Sequence, residues 1–117
     1  MSNNIDILAI GAHPDDVELG CGGTIAKHVS VGHSVSIIDL TAGELGTRGS
    51  SEIRNKESNS AKKILSVGSR FNLEMRDGWI ANSEESQLSL ISYIRYLRPK
   101  IVLCTAPNDR HPDHIAA

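Results

Sequence analysis

The sequence predicts a Rossmann-like α/β fold, in which a parallel sheet lies between helices in three αβα layers. Short apolar runs alternate with amphipathic helical segments in the order βαβαβαβ, and strands in this order are parallel and joined by right-handed crossovers. The chain has 117 residues, a common domain size, and shows neither repeats nor linkers. We therefore expect residues 1–117 to form one domain.

The first strand, helix and second strand are predicted in the N-terminal part of the chain. Residues 5–10 form an apolar run that ends at Gly11 and predicts the first strand. Residues 22–31 place apolar side chains on one helical face, and Gly32 is typical of a helix C-terminus. The apolar run 35–40 predicts the second strand.

The middle of the chain predicts a loop, a helix and a strand. Residues 41–50 contain several glycines and no periodicity, which indicates a loop. Residues 51–67 predict the second helix, which ends at Gly68, and residues 70–74 predict the third strand.

The third helix and the fourth strand follow. Asn82 is the predicted N-cap, with Glu85 completing a capping box, and the helix is expected to run to about Leu97 before Pro99. Residues 100–104 predict the fourth strand.

The expected strand order is 3-2-1-4, as in doubly wound sheets, so that the first and fourth strands are neighbours. In such sheets the chain reverses direction between these strands, and ligands bind there, outside the carboxyl ends of the strands. Two clusters of histidine and aspartate directly follow these two strands, so both are expected to open into one crevice.

The first cluster is Ala12-His13-Pro14-Asp15-Asp16. Pro14 restricts His13 to extended backbone geometry, which fixes the direction of its imidazole. His13 and Asp16 suit zinc, which takes nitrogen and carboxylate oxygen as ligands. Because Asp15 and Asp16 are consecutive, one can ligate while the other faces a metal-bound water. A turn with aspartate as a helix N-cap is the alternative interpretation.

The second cluster is Arg110-His111-Pro112-Asp113-His114. Pro112 fits the first turn of a helix, which would place His111 and His114 on the same side. One of these histidines can ligate a metal while the other reaches over a bound substrate. Asp113 or Asp109 is placed to hydrogen-bond an imidazole and fix its tautomer. A polar loop with exposed histidines is the alternative.

Composition and motif spacing argue against several function classes. The net charge of −2 gives no electrostatic footprint for nucleic acid or an anionic membrane, and no apolar run predicts a membrane span or signal peptide, so a cytoplasmic protein is expected. The glycines after the first strand fit neither GxGxxG nor a P-loop, which disfavours NAD(P) and nucleoside triphosphates. Cys21 and Cys104 are expected to be buried free thiols.

Together the two clusters resemble the motifs of the LmbE-like (PIG-L) zinc-dependent N-acetylglucosamine deacetylases. The segments Asp39-Leu40-Thr41-Ala42-Gly43-Glu44, Thr47-Arg48-Gly49 and Glu52-Ile53-Arg54-Asn55-Lys56-Glu57-Ser58 extend the resemblance over essentially the whole chain. Within the family, the sequence is most similar to the bacillithiol-type N-acetylglucosaminyl-malate deacetylases.

The resemblance implies roles for residues at matching positions. His13, Asp16 and His114 would hold the metal, and Asp15 would be the general base. His111, supported by Asp113, would stabilise the oxyanion or act as general acid. Substrate contacts would come from three further residues, namely Arg54, Arg48 and Glu44.

The implied reaction is hydrolysis of the acetamide of a small N-acetylglucosamine conjugate. One Zn²⁺ per chain, or another divalent metal such as Fe²⁺, would lower the pKa of a bound water to about 7. Asp15 would take a proton from that water as it attacks, and His111 would stabilise the oxyanion. Acetate and a free amine would be released.

Two alternatives from other classes stay open. A non-catalytic metal-binding module would have a closed four-ligand site, for which Cys21 is the candidate fourth ligand. Another metal hydrolase, such as a phosphoesterase, would use a second metal. The resemblance also implies that a C-terminal part of the family is absent here, and that the full-length form is a homo-oligomer.

Overall fold

A computed structural model describes residues 4–45, 50–106 and 111–117. Its sheet has four parallel strands in the order β3-β2-β1-β4, which confirms the predicted topology. The elements are β1 (Ile7–Gly11), α1 (Asp16–Ser30), β2 (Val35–Thr41), α2 (Ser51–Leu65), β3 (Ser69–Met75), α3 (Glu84–Leu97), β4 (Ile101–Leu103) and α4 (Pro112–Ala116).

The core consists of two apolar layers, one on each face of the sheet. Successive side chains of a strand point to opposite faces, so Ile7 and Ala9 of β1 pack in the layer beneath α1, while Leu8 and Ile10 pack in the layer that α3 covers. Strands β1 and β2 are buried along their whole length. This double burial explains why the two strands are nearly continuous apolar runs.

Helix α1 begins at Asp16, earlier than the predicted start at residue 22. Non-helical backbone angles at Cys21 (φ −148°, ψ 21°) form a kink between two helical segments, and the prediction found only the second segment. The first segment contains Gly20 and lacks apolar periodicity, so its sequence did not predict a helix. Its acidic first turn, with Asp16 and Glu18, suits the positive end of a helix dipole.

Three smaller predictions are corrected. The N-cap of α3 is Ser83, whose hydroxyl accepts a hydrogen bond from the Ser86 amide, while Asn82 instead accepts from the Gln87 side chain. Strand β4 is shorter than predicted. Both cysteines are free, but Cys104 is exposed and Cys21 only half-buried.

None of the helices in the described part of the chain has the length and apolar character needed to cross a bilayer.

Candidate metal centre

The structure brings the two histidine–aspartate clusters together at the carboxyl end of β1. Asp16 Oδ2 lies 3.0 Å from His114 Nε2 and 3.3 Å from His13 Nδ1. One ligand atom from each of the three residues lies within 4.8 Å of the other two. The group joins the start of α1 to α4, which are far apart in sequence and adjacent at this edge of the sheet.

The donor set fits one divalent metal. A tetrahedral ion with bonds of about 2.0–2.1 Å holds its ligand atoms roughly 3.3–3.4 Å apart, close to the separations around Asp16. Two imidazole nitrogens and one carboxylate oxygen suit zinc. Cys21, the candidate fourth ligand, is not part of any possible metal-binding group among the described residues. The three-ligand group borders an open crevice, as a catalytic site requires.

The imidazole of His13 is held on its second nitrogen by two carboxylates. Its Nε2 lies 2.9 Å from Asp113 Oδ2 and 3.0 Å from Asp77 Oδ1, while Nδ1 faces Asp16. A carboxylate on the far nitrogen of a ligating histidine fixes the ring's orientation and raises its basicity as a ligand.

Asp113 directs its carboxylate to His13. This carboxylate is 1% exposed and accepts hydrogen bonds from His13 and from the amides of Gly78 and Ile80, at 2.6 and 3.1 Å. Its backbone amide donates to Nδ1 of His111, the N-cap of α4. Asp113 therefore supports the ligand His13 with its side chain, because the first turn of α4 directs that side chain inward.

The charges around His13 favour its protonated form in the metal-free chain. Its hydrogen bond to Asp16 is the main reason that the pKa of His13 rises to about 9, against the opposing effect of burial. Burial acts to raise the pKa of Asp16, but hydrogen bonds from His13 and the charge of His114 bring that pKa below its ordinary value. A metal that binds at this group would have to displace a proton from His13.

Asp15 lies beside the ligands without belonging to the metal-binding group. It is the N-cap residue of α1, its side chain is half-exposed, and its Oδ1 lies 3.5 Å from Nη2 of Arg54. Partial burial raises the pKa of Asp15, and the Arg54 guanidinium opposes this rise. A carboxylate with a raised pKa next to the open side of a metal is suited to proton transfer.

The predicted substrate residues differ in where they lie relative to the crevice. Arg54 lines the crevice and donates a hydrogen bond of 3.2 Å to the carbonyl of Gly43. Glu44 accepts a hydrogen bond from the Asp77 amide and so fastens two loops together. Arg48 and Asp109 lie outside the described residues.

His111 stands directly over the ligands. Its ring makes an edge contact with His13, with centroids 4.8 Å apart, and stacks on His114 at 4.9 Å. This places an imidazole next to the metal-binding group, where it can exchange a proton with a bound molecule.

Asp77 was not among the predicted site residues. This buried residue follows β3, contacts His13, and accepts a 2.7 Å hydrogen bond from the Leu45 amide. It belongs to no histidine-containing motif, and its only signal is its place at the same edge of the sheet. The crevice has a volume of about 530 Å³ and is lined by His13, Asp15, Asp16, Leu45, Arg54, Asp77, Gly78, His111 and His114.

Fold and site together define a class: a three-layer α/β protein with an open, three-ligand candidate metal centre at its topological switch point. The chain belongs to the PIG-L family, described as GlcNAc-PI de-N-acetylase, whose model matches residues 8–117.

Sequence relatives and similar solved structures are consistent with this family assignment. The chain is 35% identical over 119 residues to the "uncharacterized deacetylase YaiS" of Escherichia coli K12, covering 94% of this chain and 62% of that protein. The conserved protein TT1542 of Thermus thermophilus has 47% identity and a TM-score of 0.92, covering 97% of this chain and 51% of that one. The N,N'-diacetylchitobiose deacetylase of Pyrococcus horikoshii has 32% identity and a TM-score of 0.88, with coverages of 95% and 45%. The chain thus spans about half the length of these relatives.

Proposed function

We propose that this chain carries the catalytic centre of a zinc-dependent deacetylase, which removes the N-acetyl group from an N-acetylglucosamine conjugate. The observation that carries the proposal is the His13–Asp16–His114 group, open to the crevice and flanked by Asp15. Membership of the PIG-L family and similarity to proteins named as deacetylases support the same chemistry.

The residues around the crevice have different roles in amide hydrolysis. A zinc ion held by His13, Asp16 and His114 would supply a water of lowered pKa and polarise the acetamide carbonyl. Asp15 accepts the proton of the attacking water, and its contact with Arg54 keeps its carboxylate in place. His111 donates to the developing oxyanion and then protonates the departing amine.

The substrate we favour is a bacillithiol-type conjugate, N-acetylglucosaminyl malate. Two features support this choice. One is the resemblance of the motifs. The other is the guanidinium of Arg54, which suits a carboxylate and lies in a crevice large enough for a small ligand. We extend the proposal to a homo-oligomeric full-length protein on the strength of the same resemblance, whereas the cytoplasmic location is an expectation from the sequence alone.

Metal analysis combined with an acetate-release assay tests the proposal. The full-length protein, loaded with zinc, is offered N-acetylglucosaminyl malate, diacetylchitobiose and free N-acetylglucosamine, with Asp16→Asn as the metal-ligand control. We expect zinc-dependent acetate release, fastest with the malate conjugate. Release that is faster with diacetylchitobiose would refute the substrate choice alone. Zinc binding without acetate release from any of the three would overturn the deacetylase function and indicate a metal-binding module.

A further inference from the structure

We propose that His28 and His33 form a second binding site for a divalent transition metal, with Cu²⁺ as the tightest ligand. The Nδ1 atoms of the two imidazoles lie 2.8 Å apart, and their rings are stacked with centroids 5.1 Å apart and an interplanar angle of 27°. His28 lies in the last turn of α1, and His33 lies in the turn that leads to β2. Neither residue belongs to the catalytic crevice.

The backbone holds the two imidazoles in position before any metal binds. The His33 amide donates a 3.0 Å hydrogen bond to the carbonyl of His28, and the Gly32 amide donates one of the same length to Val29. Gly32 has φ +94°, a conformation that glycine adopts without strain, and this turn brings His33 back beside the helix. Because the turn is already formed, chelation requires little further ordering of the chain.

The spacing of the two nitrogens favours a tetragonal ion. Bonds of about 2.0 Å that meet at a right angle hold two ligand atoms roughly 2.8 Å apart. This is the separation of the His28 and His33 nitrogens, whereas the catalytic ligand His13 lies 3.3 Å from Asp16. Imidazole nitrogens in tetragonal geometry are typical of Cu²⁺, which also has the highest affinity in the divalent series.

Binding of a metal requires a change of tautomer in one ring. In the metal-free chain one Nδ1 carries a hydrogen and donates it to the other Nδ1. For Cu²⁺ to bind, that hydrogen moves through solvent to Nε2 of the same ring, so that both imidazoles stay neutral and both Nδ1 lone pairs are free for the ion. No third histidine, cysteine or carboxylate among the described residues completes a group with this pair, so water would fill the remaining positions.

The helix dipole is the electrostatic feature that favours a cation at this pair. The pair lies at the C-terminal end of α1, where the helix dipole is negative. Asp6 accepts hydrogen bonds from the amide and hydroxyl of Ser34, the residue after His33, but Lys100 lies 3.3 Å from the same carboxylate and offsets its charge. Lys27 in the same turn opposes the cation, but its long side chain is exposed to solvent.

The second site is remote from the catalytic ligands. Asp16 begins α1 and His28 lies in its last turn, so the two are separated by roughly 20 Å of helix. Occupation of one site therefore leaves the ligands of the other in place.

Copper titration of the zinc-loaded protein at neutral pH tests the proposal. Isothermal titration gives stoichiometry and affinity, and electron paramagnetic resonance counts the nitrogen ligands. The variants are His28→Ala, His33→Ala and the double substitution, with Lys27→Ala as a neighbouring control. His114→Ala identifies any copper that enters the catalytic crevice.

We expect one copper with two nitrogen ligands to be lost in each His28 and His33 variant and kept in Lys27→Ala and His114→Ala. Each single substitution should weaken this site at least about tenfold, and the double should be no worse, since a chelate is lost with either ligand. Unchanged copper stoichiometry and spectra in His28→Ala and His33→Ala would overturn the proposal, as would additive losses from two independent single-nitrogen sites. His33→Gln at an exposed position provides the same test if His28→Ala alters the circular dichroism of α1.

Discussion

Asp15 and Asp16 are neighbours in sequence, but the fold gives them different surroundings. Asp16 contacts His13 and His114 and is largely enclosed, whereas the side chain of Asp15 is 52% exposed and contacts Arg54. This difference arises because Asp15 is the N-cap of α1: its backbone is not yet helical (φ −170°, ψ −13°), whereas Asp16 is the first residue of the helix. Two identical side chains can therefore serve as metal ligand and as base.

Asp15→Asn should separate these two roles. The full-length variant should bind zinc with unchanged stoichiometry and lose about 10²–10⁴-fold in kcat, the usual cost of removing a general base. Metal analysis and acetate release provide the two readouts, and Asp16→Asn should instead lose the metal. A variant of Asp15 with near-normal kcat, or one that fails to bind zinc, would contradict the assignment.

Gly43→Ala should displace Arg54. Gly43 has φ +66°, and a Cβ built there would overlap the guanidinium of Arg54. If Arg54 binds substrate by a charge-assisted hydrogen bond, KM should rise roughly tenfold or more. Gly32→Ala is the matched control, since Gly32 also has a positive φ (+94°) and a Cβ there meets nothing within 4 Å. An unchanged KM in Gly43→Ala would argue that Arg54 acts elsewhere.

At the scale of elements, Arg70 links two strands of the sheet to each other and to α1. Arg70 of β3 makes two hydrogen bonds to Asp39 of β2, at 2.6 and 2.9 Å, and one of 3.0 Å to Glu18 of α1. Burial raises the pKa of Asp39, although Arg70 opposes this rise. Through Glu18, Arg70 holds the first turn of α1, which carries Asp16, against the sheet.

Arg70→Met should lower the free energy of unfolding by about 3–5 kcal/mol, because it leaves the buried Asp39 without a partner. Glu18→Gln should cost much less, since the Arg70–Asp39 pair remains intact and Glu18 is partly exposed. Urea denaturation of both variants measures the difference. Equal losses would mean that the contact with α1, and not the buried pair, dominates the stability.

The sequence was sufficient for elements whose signals are local and repeated. Buried strands such as β1 and β2 form apolar runs, so the strand order followed from their alternation with helices. The start of α1 was missed because glycines interrupt its pattern. A hydrogen bond from an imidazole to Asp113 was predicted, but the identity of that imidazole as His13, and the role of Asp77, could not be found. Both arise from contacts between segments that the sequence does not place side by side.

At the scale of the whole molecule, Asp6 joins the amino ends of three strands. It precedes β1, accepts a 2.8 Å hydrogen bond from the Ser34 amide before β2, and lies 3.3 Å from Lys100 before β4. The Ser34 hydrogen bond lowers the pKa of Asp6 below its ordinary value of 3.8, against a smaller effect of burial, and Lys100 adds to the lowering.

This lowered pKa gives the stability a defined dependence on pH. A group whose pKa is lower in the folded state stabilises the protein above its unfolded pKa, and that contribution is lost as the pH falls through the folded value. The stability difference between wild type and Asp6→Asn should therefore be greatest above about pH 5 and shrink towards pH 2. Urea titrations across this range measure it, with Lys100→Gln keeping most of the effect. A difference independent of pH would show that the Asp6 charge is not involved.

The hydrogen bond between His13 and Asp113 spans 100 residues of sequence. Contacts of such long separation close a long loop of the chain and are expected to form late in folding, after the local helices and the β1–β2 pairing. During synthesis on the ribosome, His13 must wait for α4 to emerge before its second nitrogen is held. A metal held by His13, Asp16 and His114 would bind only after the segments that carry these residues have met, so a kinetic trace of zinc uptake during refolding would time that event.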